Sequence, residues 1–169
     1  MTKYLLLKRI IFFPFTFIFI FLFADVINPQ VYLDSTADVE SRIEDLLSRM
    51  NLDEKIGQMA QAERSAVTGN SDITTYFLGS ILSGGGSVPG GNNAESWINM
   101  YETFQTQALD TRLKIPIIYG IDAVHGHNNV RNAVIFPHNI GLGCARDSEL
   151  VRQAASITAK EIMGTGLNW

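Results

Sequence analysis

Apolar positions along this chain follow two rhythms. Val39, Ile43, Leu46, Leu47 and Met50 fall at helical spacing, with Glu40, Arg42, Glu44 and Asp45 between them. A first helix is therefore predicted from about Ser35, with Asp38 as its capping-box partner. Asn51, followed at three residues by Glu54, marks a second, short helix whose Ile56, Met59 and Ala60 share a face. Met50 and Met59 read as core filling. The segment 92–108 keeps the same period through Trp97, Tyr101, Phe104 and Ala108, behind an Asn92-x-x-Glu95 cap, and its aromatics read as core. Asp147 is the expected N-cap of a last helix, with Glu149 favourable in its first turn. Leu150, Val151, Ala154, Ala155, Ile157, Thr158 and Ile162 supply its buried side, and Gly164 and Gly166 end it.

The second rhythm is short and continuous. Gly79 to Ser83 reads as a strand running into the glycine-rich stretch 84–91. Ile115 to Tyr119, around Pro116, reads as a strand buried on both faces, and Leu167–Asn168–Trp169 as the opening of another. Strand, helix, strand, helix, strand implies a parallel sheet built by right-handed crossovers. The expected fold class is α/β, the N-terminal part of a (β/α)8 barrel that takes about 250 residues to close. On this reading residues 25–34 are an aperiodic, extended lead and 35–169 a barrel portion that is incomplete in this chain. There is no internal repeat beyond the alternation and no low-complexity linker.

Residues 1–24 stand apart from that pattern. Lys3, Lys8 and Arg9 precede an apolar run from Ile10 to Phe23, and Ala24 closes it as a small residue, although Leu22 is a poor fit before a cleavage site. This predicts a signal peptide and secretion, to a cell-wall or apoplast-like space. An uncleaved anchor is the alternative, but the run is broken by Pro14 and falls short of the about 20 apolar residues a span needs. Cleavage removes three bases and no acid, taking the net charge from −4 to −7. That balance disfavours nucleic acid as a partner and suits neutral or cationic ligands. No stable membrane association is expected after cleavage. Cys144 is the single cysteine, so no internal disulfide can form, and no Asn-x-Ser/Thr triplet occurs.

Candidate chemistry concentrates after the second strand, where Asp122, His125 and His127 follow Gly120 within seven residues. Strands that deliver polar residues from their C-terminal ends are how α/β enzymes build sites. Three chemistries compete there. His125 and His127 form an HxH pair of the kind that shares a cation, although a catalytic zinc wants three protein ligands and His138 is the only further histidine. Asp122 as general acid or nucleophile needs a second carboxyl about 5 Å away or somewhat more, and helix capping explains Asp110 and Asp147. Asp122 as a sugar ligand needs only neutral hydroxyls to accept from. Set against all three, an Asp in this position also caps a neighbouring amide or holds His125. The glycines of 84–91 match neither phosphate-binding spacing and read as room for close backbone approach.

IPIIYGIDAVHGHNNV at 115–130 and AVIFPHNIGLG with the following Ala145-Arg146-Asp147 closely resemble the plant and microbial β-glucosidases and exo-β-glucanases of glycoside hydrolase family 3. So do DLLSRMNLDEKIGQMAQAER at 45–64, GSILSGGGSVPGG at 79–91 and DTRLKIP at 110–116, so that the resemblance runs from about Val39 to Trp169. It implies a (β/α)8-like barrel followed by an α/β sandwich domain, and a retaining mechanism with an aspartate nucleophile and a glutamate acid/base. Both carboxylates are expected after Trp169, leaving no catalytic residue in this chain. The resemblance makes Asp122 the ligand of hydroxyls on the terminal glucosyl unit of a β-glucoside or β-glucan, with His125 and His127 as possible supports behind it. It implies no cofactor and no metal. Cys144 and Ser148 depart from the family's frequent small residue and proline without touching the chemistry.

Overall fold

The computed structural model describes residues 29–68 and 71–169. The expected signal peptide, 1–24, lies outside the described residues. The chain divides into two compact units, Met1–Ser48 and Arg49–Trp169.

In the first unit the lead is not extended throughout, because Val31–Leu33 forms a 3-10 turn. The turn is held by the following helix, α1 (Val39–Arg49). The Tyr32 amide donates to Asp45 Oδ2 at 3.0 Å, and Arg42 Nε donates to the Tyr32 carbonyl at 3.1 Å. The helix begins four residues later than Ser35 predicts. Asp38 itself is the capping side chain, accepting from the Ser41 amide at 3.1 Å, while Ser35 lies in a turn closed by the bond from the Ala37 amide to the Asp34 carbonyl at 3.2 Å.

The second unit opens with α2 (Leu52–Gln58), where the predicted capping box is present. Asn51 accepts from the Glu54 amide and Glu54 accepts from the Asn51 amide, both at 2.9 Å. Strand β1 (Gln61–Glu63), a short helix α3 (Asp72–Tyr76) and strand β2 (Ser80–Ser83) follow. Helix α4 (Ala94–Leu109), strand β3 (Ile118–Ile121), helix α5 (Asn139–Cys144) and helix α6 (Ser148–Met163) complete it. The sheet is parallel in the order β1-β2-β3, with Ile81 opposite Tyr119. Crossovers through α3 and α4 make it an α/β fold, as the alternation of patterns requires.

Two boundaries move for identifiable reasons. The strand expected over Ile115–Tyr119 joins the ladder only at Ile118 and runs on to Ile121. Pro116 has no N–H to give the ladder. Both backbone groups of Ile117 are instead taken by one side chain: Gln105 Nε2 donates to its carbonyl at 2.7 Å and Gln105 Oε1 accepts from its amide at 3.2 Å. Nor is the strand buried on both faces, since Ile118 is 52% exposed while Ile117, Tyr119 and Ile121 turn inward. The cap of α4 is Asn93, which accepts from the Ser96 amide at 2.8 Å, whereas Asn92 turns its carboxamide oxygen to Trp97 Nε1 at 3.0 Å. Asp147 caps α6 as predicted, accepting from the Glu149 and Leu150 amides. Only Ala154 of the expected face is fully buried, and Leu150 and Ile157 stay exposed.

Leu167–Trp169 is not a ladder strand, yet it lies where one would begin. The Ile121 amide donates to the Trp169 carbonyl at 3.0 Å and the Tyr119 amide to Asn168 Oδ1 at 3.1 Å. The core gathers between the sheet and α4, around Ile73, Ile81, Trp97, Ile117, Tyr119 and Leu167. Each such fully buried large side chain contributes about 1.5–3 kcal/mol relative to exposure.

The N-terminal side of this layer is tied by Glu54 and Arg112, an ion pair at 2.6 Å whose guanidinium also donates to the Arg49 carbonyl at 2.8 Å. Burial pushes the Glu54 carboxyl up, but the Arg112 bonds and the Asn51 amide outweigh it and hold the group below the usual 4.5. The resulting stability is present above that value and is lost as pH falls through the lowered one. Arg112→Ala strands the buried carboxylate. Because the guanidinium is more than half exposed, the expected loss is about 2 kcal/mol, below the about 3–5 kcal/mol of a fully buried pair. Urea denaturation at pH 7 and pH 4 checks this, with a smaller difference between variants at the lower pH.

Candidate active site

β3 ends at Ile121, and the next residue continues the ladder by one bond, from the Asp122 amide to the Ser83 carbonyl at 3.1 Å. The Asp122 carbonyl is held from the other direction by Asn129 Nδ2 at 3.0 Å. Its carboxylate is exposed and accepts no hydrogen bond among the described residues. It lies over the end of β2, where a Cβ on Gly84 would sit 3.7 Å from Asp122 Oδ2. Capping of a neighbouring amide, the bland reading of this residue, is therefore not what its side chain does. Beside it the Trp169 ring lies over Gly120, where any Cβ would come within 2.6 Å of the indole.

The loop after Asp122 is folded tightly upon itself. The Phe136 amide donates to the His125 carbonyl at 2.9 Å, and Gly126 takes φ +91° with the Val134 carbonyl where a side chain would stand. A side chain there would meet both a left-handed backbone and a collision at 2.1 Å. Further along, the two Glu161 carboxylate oxygens accept from the Val134 amide at 3.1 and 3.2 Å.

The two histidines of the HxH pair go to different neighbours. His127 is fully buried, its ring 5.8 Å from that of Trp97 and its Nε2 2.9 Å from Thr165 Oγ1. The Thr165 hydroxyl donates onward to the Ile162 carbonyl at 2.7 Å, so it accepts from His127, which fixes the Nε2–H tautomer. His125 instead packs against His138, with ring centroids 4.3 Å apart. The Nδ1 atoms of both His125 and His127 are buried without a partner among the described residues. A shared cation needs both rings to converge on one point, whereas each ring packs against a different neighbour. Among the described residues no cluster of three or more His, Cys, Asp or Glu side chains is disposed to hold a metal ion. His127 thus anchors the loop rather than standing behind Asp122.

Sequence reasoning passed over the side chain that reaches Asp122. Asn129 was legible only as one of an Asn-Asn pair, and a side-chain bond to backbone seven residues away has no local signature. Asp110 and Asp147 sit at helix ends, the C-cap of α4 and the N-cap of α6, and neither supplies a second carboxylate beside Asp122.

A parallel α/β sheet with a carboxylate just beyond a strand's C-terminal end has the arrangement in which α/β enzymes place their ligand sites. Residues 51–169 match the glycosyl hydrolase family 3 N terminal domain, and the chain belongs to that family. Over 146 residues it is 37% identical to a lysosomal beta glucosidase of Dictyostelium discoideum, covering 75% of this chain and 18% of that protein. It is 30% identical over 158 residues to beta-glucosidase C of Emericella nidulans, covering 81% of this chain and 24% of the relative. Among solved structures, an exo-1,3/1,4-beta-glucanase from a Pseudoalteromonas species superposes with a TM-score of 0.70 at 38% identity, over 83% of this chain and 18% of that one. The chain thus spans about a fifth to a quarter of these relatives' lengths.

Burial lowers the His127 pKa from its usual 6.5, with the Glu161 carboxylate opposing in part. The unfolded chain therefore binds the proton more readily. The stabilising contribution is complete above pH 6.5 and is lost as pH falls from there through the lowered value. Stability measured by urea denaturation is expected to drop between pH 7 and pH 5. His127→Gln, whose amide keeps a donor for Thr165, is expected to flatten that slope at some cost in stability at pH 7. An unchanged slope counts against a buried, neutral His127.

Proposed function

We propose that this chain forms the glucosyl-binding part of a β-glucosidase or exo-β-glucanase, built on the N-terminal portion of a (β/α)8-like barrel. Terminal β-D-glucosyl residues are released by a retaining double displacement, with nucleophile and acid/base supplied from outside these 169 residues. The observation that carries the reading is Asp122, whose backbone is held at both polar groups while its carboxylate is left free. A carboxylate so placed accepts hydroxyl hydrogen bonds, each worth about 1.5–3 kcal/mol. The names of the relatives favour gluco-configured substrates. A retaining reaction needs two carboxyls about 5 Å apart. A metal-dependent hydrolase built on the HxH pair has less support, since His125 and His127 engage different partners.

Two experiments test this. The purified 169-residue chain is expected to give no turnover of an aryl β-glucoside above background. Turnover abolished by Asp122→Ala would show that the chemistry has been misassigned.

In the complete enzyme, Asp122→Ala is expected to lower kcat/KM by about 10²–10⁴-fold, the loss of two hydroxyl bonds worth about 3–6 kcal/mol together. Asp122→Asn is expected to lose less, since an amide still accepts one bond. Azide should yield no inverted glycosyl azide from Asp122→Ala. Its formation would make Asp122 the nucleophile and end the binding role.

A further inference from the structure

Asp122 is an exposed residue whose backbone is treated as though it were buried. Its amide is the last rung of the β2–β3 ladder, and its carbonyl receives the carboxamide of Asn129, a residue only 8% exposed. Asn129 stands on fixed ground. Two residues earlier His127 is fully buried between Trp97 and Thr165, and the next residue, Val130, is 7% exposed and donates its amide to the His127 carbonyl at 3.0 Å. The following residue, Arg131, donates its amide to the Asn92 carbonyl at 3.2 Å.

What the Asn129 bond does is hold the carbonyl side of the peptide after Asp122, whose N–H side is held by the bond from the Ala123 amide to the Ile121 carbonyl at 3.1 Å. With both sides of the α-carbon held, the carboxylate direction depends on the side-chain torsions alone.

We propose that Asn129 is a positioning residue for sugar binding: by holding the Asp122 carbonyl it aims the Asp122 carboxylate at the substrate hydroxyls. This rests on the reading of Asp122 as a hydroxyl ligand. Asn129 itself touches no substrate. Its contribution therefore vanishes whenever the Asp122 contact is absent, whether the protein or the sugar lacks it. Pre-set direction matters because a positioned group contributes fully only when its orientation costs nothing on binding.

The test uses the complete enzyme, an aryl β-glucoside and the set of its monodeoxy analogues. The readout is the ratio of kcat/KM for the parent to that for the analogue whose missing hydroxyl most reduces the Asp122→Ala effect. Partial unfolding lowers both rates together and leaves this ratio alone. Asn129→Ala and the near-isosteric Asn129→Asp, which cannot donate to the Asp122 carbonyl at neutral pH, are each expected to lower the ratio about 10-fold. Neither is expected to change it further in an Asp122→Ala background. Asn129→Gln, which keeps the amide donor on a longer arm, is expected to recover part of it.

If Asp122→Ala lowers the ratio while the Asn129 variants change only Tm, the positioning role is overturned and the Asp122 reading stands. If no analogue reduces an Asp122→Ala effect, or the wild-type enzyme shows no glucosidase turnover, the functional reading falls and this role with it.

Discussion

The hydroxyl of Tyr119 is the constraint on which the rest of the sheet depends. Its ring is fully buried, stacked on Phe104 at 5.9 Å and edge-on to Tyr101 at 6.4 Å, and a buried phenol without a partner would destabilise the fold. Ser83 supplies that partner at 2.7 Å, across the β2–β3 pair. The bond works only in the register that places Ile81 opposite Tyr119. A slip of one residue would turn Tyr119 to the other face and carry Asp122 with it. The polar pair in the core thus sets where the carboxylate emerges above it.

Much of this was legible because it is local. The Asn51–Glu54 box and the Asp147 cap are encoded within three residues, and the structure contains both. Position Asp122 was legible as a residue following an apolar run, and the family resemblance gave it a role. Other elements were hidden for physical reasons. β1 is Gln-Ala-Glu, a polar edge with no alternation to detect, and it is a strand only because the β2 backbone pairs with it. α3 and α5 are five and six residues long, too short for a helical period to accumulate. The choice of Asn93 over Asn92 as a cap was settled by Trp97, whose indole N–H claims Asn92.

The histidines show the other limit. Spacing alone placed His125 and His127 as neighbours able to share a task, but successive turns of the loop send one toward His138 and the other into the core. Gly126 between them, at positive φ, is the joint that separates the two. The same tightness delivers Asn129 back to Asp122. A site whose supports come from a folded loop is invisible to any reading by period, since each contact joins positions whose spacing has no preferred value.

The chain's two tryptophans lie in opposite surroundings, Trp97 fully buried and Trp169 63% exposed. Their emission is therefore naturally divided, a blue-shifted component from the first and a red-shifted, quencher-accessible one from the second. Trp97 has His127 beside it, and an imidazolium quenches indole more strongly than neutral imidazole does. Trp97, on α4, thus reports without any label on His127 in the loop that supports Asp122.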